Sequence, residues 1–122
     1  LIVAALDDAE LRCFSALARE VGLTSLVEAH DEREVERALD AGATVVGVNQ
    51  RDLVTFEVDT DRAVRVVREI PDDVVKVAES GITGAADARR LRDAGYDAVL
   101  VGETLVRADD PAAAVRELRS CS

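Results

Sequence analysis

Short apolar runs and amphipathic stretches alternate along this chain from one end to the other. Residues 1–6, 26–29, 44–49, 74–79 and 98–101 are runs rich in Val, Leu, Ile and Ala, too short for helices and bounded by polar residues or glycine. That pattern predicts five buried strands. Between them, apolar positions recur every three or four residues over about 9–21, 31–41, 60–69 and Ala85–Ala94, which predicts helices. Asp7-Asp8 and Asp31 are suited to N-caps, Gly22, Gly42 and Gly95 stand where helices should end, and Pro71 stops the third. Two short helices, 104–107 and Pro111–Arg119, close the pattern, with Pro111 well placed at a helix start.

Asp40-Ala-Gly-Ala-Thr-Val-Val-Gly-Val and Asp93-Ala-Gly-Tyr-Asp-Ala-Val-Leu-Val repeat one unit of helix end, glycine and buried strand. Strands alternating with helices imply right-handed βαβ units and a parallel sheet. No linker or low-complexity segment interrupts residues 1–122, so they read as a single domain. The fold class is α/β. The choice lies between an open doubly wound sheet and part of a (β/α)₈ TIM barrel of about five βα units.

The polar residues at the strand ends bear on that choice. Glu28, Asn49, Glu79-Ser80-Gly81 and Gly102-Glu103 all fall where strands give way to the next loop. In a barrel that rim is where the chemistry sits. Two successive strand–glycine–helix turns can aim backbone N–H groups at one anion, so a phosphate site is the leading physical expectation. An open flavodoxin-like sheet would more often carry its phosphate loop after the first strand, and LIVAALDDAE has no glycine there. A small phosphorylated substrate is the partner these residues suit.

Composition narrows the partners further. The net charge of −10 argues against nucleic acid and anionic membranes. Two cysteines, Cys13 and Cys121, make neither a metal spacing nor a disulfide framework, and Cys13 is expected to pack as a small hydrophobe on its helix. No run approaches the length of a membrane span and the opening residues do not read as a signal peptide, so a cytoplasmic protein is expected. The start on LIVAAL, without Met, gives the expectation of a piece cut from a longer sequence.

The segments LVEAHDE (26–32), GVNQRDL (47–53), TFEVD (55–59), VVKVAESGI (74–82) and AVLVGETLVR (98–107), in this order and spacing, resemble indole-3-glycerol phosphate synthase. The resemblance implies the carboxy-terminal portion of a TIM barrel of the ribulose-phosphate-binding type, with strands four to eight present. It implies closure of 1-(2-carboxyphenylamino)-1-deoxyribulose 5-phosphate to indole-3-glycerol phosphate, a lyase step of tryptophan biosynthesis that releases CO₂ and water and uses no metal or cofactor. By motif position, Glu28 matches the general base and Asn49 a catalytic asparagine that orients substrate. Glu79 matches a substrate-contacting carboxylate and Leu53 a wall of the indole pocket. Ser80, Gly81, Gly102 and Glu103 match the phosphate turns, with Glu103 able to offer only its backbone N–H while its carboxylate points away. The family's general-acid lysine belongs to strand three and a further lysine and glutamate to strand one, and none of these is matched here. Lys76, the only lysine, falls early in its strand and is no substitute.

Each residue also has a plainer reading. Glu28 could be a solvated or capping carboxylate, Asn49 a turn former, Ser80-Gly81 a turn that needs positive φ, and Gly102 a site of close packing. His30 reads as a satisfied loop histidine, and Arg51 and Arg107 as members of surface ion pairs. Five parallel strands cannot close a barrel, which predicts self-association or pairing with the missing amino-terminal half through exposed strand edges, or a collapsed open sheet. The alternatives are a non-catalytic half-barrel that only binds phosphate, or another ribulose-phosphate-binding barrel isomerase.

Overall fold

A computed structural model describes residues 1–51 and 58–120. In chain order the elements are α1 (Asp8–Glu20), β1 (Val27–Ala29), α2 (Glu32–Asp40), β2 (Val45–Asn49), α3 (Thr60–Val66), β3 (Val75–Glu79), α4 (Ala85–Ala94), β4 (Ala98–Leu100), α5 (Glu103–Arg107) and α6 (Pro111–Arg119). The four strands form one parallel sheet in the order β1-β2-β3-β4, so each crossover moves one place along the sheet. This is the partial α/β barrel anticipated from the alternating pattern.

Residues 1–6 depart from expectation. Only Ile2 bridges the sheet, beside Glu28, and Val3–Ala5 turns into a 3₁₀ helix. The reason is distant in sequence: the Arg37 guanidinium on α2 takes the carbonyls of Val3 and Leu6 at 3.2 and 2.7 Å, and Asp8 at 2.6 Å. Asp7 then opens α1 with a capping box, its carboxylate accepting from the N–H groups of Ala9 and Glu10 while Glu10 accepts from the Asp7 N–H. A fifth strand is thereby reduced to one bridge.

Side chains alternate across each strand, and the register decides what each face does. Val27, Ala29, Val46, Val48 and Ala78 point to the helices and are buried with Val3, Leu11, Val35, Ala63, Val66 and Leu91. Full burial of such a valine or leucine is worth about 1.5–3 kcal/mol, and this layer supplies the folding force. The register pairs Glu28 with Gly47, Asn49 with Glu79, and Glu79 with Leu100, which puts these residues together on the opposite face. That face is open at one side: Leu100 is 53% and Val75 44% exposed. Cys13 does not pack as expected; α1 buries Leu11 and Ser15, and Cys13 faces solvent. Among the described residues no helix is long and apolar enough to cross a membrane.

Candidate active site

Three side chains meet on the open face at the carboxyl ends of β1, β2 and β3. Asn49 donates from Nδ2 to Glu28 Oε1 at 2.8 Å, while its Oδ1 accepts from the Arg51 N–H at 2.9 Å. The two bonds fix which way the amide faces, so Asn49 presents a donor to the Glu28 carboxylate. His30, just beyond β1, is held through Nδ1 to Glu34 Oε2 at 3.0 Å, and its Nε2 lies 3.6 Å from Glu28 Oε1 without a hydrogen bond. The histidine is thus satisfied on one ring nitrogen and directed at the carboxylate by the other.

Glu79 is 5% exposed, and its Oε1 has no hydrogen-bond partner among the described residues. It lies over Gly47: a Cβ on Gly47 would sit 1.9 Å from that oxygen. The glycine in β2 makes the space into which the carboxyl folds. Burial, reinforced by the nearby Glu28 charge, pushes Glu79 up to about 7, against a smaller pull downward from the amino terminus and His30. At neutral pH this carboxyl can hold or release a proton.

The two glycine turns lie beside this cluster. Ser80 and Gly81 both have left-handed φ, 66° and 65°. For serine that conformation costs about 1–2 kcal/mol, so something must hold it. A Cβ on Gly81 would come 2.4 Å from Val58 Cγ1, so glycine is required there twice over. Gly102 is different: its φ is −115°, and among the described residues an added Cβ would meet nothing within 4 Å. The turns are joined directly, Thr104 Oγ1 donating to the Ile82 carbonyl at 2.6 Å. Between them opens a groove of about 1220 Å³ lined by Ser80, Gly81, Gly102, Glu103 and Thr104, with Arg51 and Arg107 at its rim.

Glu103 does not turn away from this groove. Its carboxylate is held at the rim by Arg51 at 3.1 Å and Arg107 at 3.1 Å, so both arginines form the ion pairs expected of them, with one shared partner. Lys76 pairs with Asp72 at 3.0 Å near the start of β3, away from the cluster at its end. Leu53, the expected wall of the indole pocket, lies outside the described residues.

Sequence reasoning missed Gln50. It is 1% exposed, donates from Nε2 to the Ser80 carbonyl at 2.8 Å, and its own N–H donates to the Glu79 carbonyl at 3.0 Å. A glutamine beside a turn asparagine gives no signal of burial; only the full burial of Asn49's neighbours by the folded sheet reveals it.

Residues 1–118 match the family model described as indole-3-glycerol phosphate synthase. The chain belongs to the indole-3-glycerol phosphate synthase family. It is 56% identical over 118 residues to the indole-3-glycerol phosphate synthase of Streptomyces griseus, covering 97% of this chain and 44% of that protein. With the enzyme of the same name from Acetivibrio thermocellus it shares 48% over 120 residues, 98% of this chain and 46% of that one. The chain thus spans about half the length of the curated relatives it matches. Thiamine phosphate pyrophosphorylase from Pyrococcus furiosus superposes with a TM-score of 0.75 at 21% identity, over 91% of this chain and 53% of that one. That likeness is one of fold.

Proposed function

We propose that this chain provides the base-and-phosphate portion of an indole-3-glycerol phosphate synthase, acting on 1-(2-carboxyphenylamino)-1-deoxyribulose 5-phosphate. The observation that carries the reading is the pairing of two bonded glycine turns with an acid–amide cluster on one rim of a parallel sheet. Phosphate seats against the N–H groups of the 80–81 and 102–103 turns, beside the arginine pair. The seat anchors the ribulose end and brings the reacting carbons towards Glu28. There Glu28 acts as general base, with Asn49 orienting its carboxylate and contacting substrate. Glu79, buried and pushed up to about 7, contacts substrate with a proton it can keep or give up at neutral pH.

The family's general-acid lysine has no counterpart among these residues, because Lys76, the only lysine, lies near the start of β3, away from the cluster at its end. Binding and proton removal therefore belong to this chain, and proton donation to the leaving water belongs to the preceding barrel strands. The open face around Leu100 and Val75 is the surface those strands cover, or that a second copy covers when they are not supplied. A cytoplasmic setting, with Cys13 reduced, goes with this reading.

An amide NMR titration with indole-3-glycerol phosphate tests the phosphate seat. Saturable shifts centred on Ser80, Gly81, Gly102 and Glu103 are expected, and a well-dispersed spectrum that does not respond would refute it. Turnover should appear when a separately expressed amino-terminal barrel fragment is added, and Glu28→Gln should abolish it. A mixture with Glu28→Gln that turns over as fast as the parent mixture removes Glu28 from the base role.

A further inference from the structure

We infer that Gln50 is a positioning residue that holds the Ser80–Gly81 turn in its phosphate-binding shape. The inference rests on the phosphate reading of that turn. Three observations carry it. Gln50 is almost wholly buried, which is unusual for a primary amide and needs hydrogen bonds to offset. It meets β3 at two successive carbonyls, its backbone N–H on Glu79 and its side-chain Nε2 on Ser80. Its own carbonyl accepts from the Asp59 N–H at 2.9 Å, so one residue fastens the far side of the 51–58 connection to the end of β3.

The strain in the turn explains why a brace is needed. Ser80 is the one non-glycine residue with positive φ among the described residues. Left alone, it would favour an extended conformation that rotates the neighbouring N–H groups away from a common anion. The Ser80 carbonyl can only accept, so the bond from Gln50 Nε2 has a fixed sense and is satisfied when Ser80 is left-handed. Asn49 on one side of Gln50 orients the Glu28 carboxylate, while Gln50 orients the phosphate turn. Two adjacent amides at the end of β2 thus set the two halves of the rim.

Losing the brace lowers the fraction of molecules whose turn is ready to bind, and the apparent affinity falls by that fraction. Gln50→Leu keeps the volume and removes the donor. It should weaken indole-3-glycerol phosphate binding by up to about fivefold, the limit set by one net hydrogen bond. In the unliganded protein the Ser80 N–H to Hα coupling and Cα shift should move from left-handed towards extended values, with the rest of the spectrum in place. Gln50→Met, with a more adaptable chain of the same length, serves if the leucine variant does not fold. A folded variant with parental Ser80 couplings and parental affinity overturns the inference, whether or not it is less stable. A parent chain whose Ser80 and Gly81 amides ignore the ligand removes the phosphate reading instead, and the inference with it.

Discussion

Replacing Glu79 by glutamine isolates the electrostatics of the rim. The carboxyl is buried over Gly47, has an oxygen without a partner among the described residues and stands near the Glu28 charge; together these lift it from 4.5 to about 7. Between those values the folded chain keeps a proton that the unfolded chain releases. More protons bound to the folded state mean that stability falls as pH rises through this window. The full penalty, reached above about pH 7, is about 3 kcal/mol. Glutamine has nearly the same shape and does not titrate. Glu79→Gln should therefore differ little from the parent in weak acid and be clearly more stable in weak base. Urea unfolding followed by far-UV circular dichroism, at about pH 5 and about pH 8, should show the gap widening by about 2 kcal/mol. The other ionisable groups are common to the two proteins and cancel in that comparison, except Glu28, His30 and the amino terminus, which interact with Glu79 itself. A gap that is the same at both pH values would show that Glu79 is ionised in the folded chain, and the argument from burial would fail.

Gly47→Ala places a methyl 1.9 Å from Glu79 Oε1 and should drive the carboxyl out towards solvent, returning its titration towards 4.5 in a carboxyl-carbon NMR experiment; a midpoint still near 7 contradicts the proposed seat. Gly81→Ala meets both a φ of 65° and Val58 at 2.4 Å, and should cost about 1–3 kcal/mol in chemical unfolding along with loss of the Ser80–Gly81 response to ligand. Leu11→Ala, at the centre of the helix-side core with 1% exposure, should cost about 2–5 kcal/mol while leaving the Glu79 titration where it was.

Element order was readable because hydrophobic period changes cleanly from strand to helix. Ala85–Ala94 and Pro111–Arg119 have the bounds their caps and glycines indicate, and Asp31 caps α2 through the Glu34 N–H. The strand-end residues followed as well, since a parallel sheet gathers carboxyl ends on one rim. What local pattern could not carry were contacts made across the chain. Residues 1–6 look like a strand until Arg37 takes the Val3 and Leu6 carbonyls. The proton on Glu79 depends on Gly47 in another strand, and Gln50 matters through Ser80, thirty residues away. Glu103 reads as a misplaced charge until two arginines are seen on either side of it.

The alternation along β1, β2 and β3 has a consequence for how sequence change is tolerated. Neighbouring residues answer to different constraints: Ala78 to the packing of helices, Glu79 to the handling of a proton. Substitutions at 78 and 79 should therefore differ in kind, with loss of folding at Ala78 and a changed titration at Glu79. Stabilising changes can then accumulate on the helix-packed face without touching the other. A shift of the strand by a single residue would exchange the two sets at once, so the cluster at the rim is guarded by the same register that keeps the interior dry.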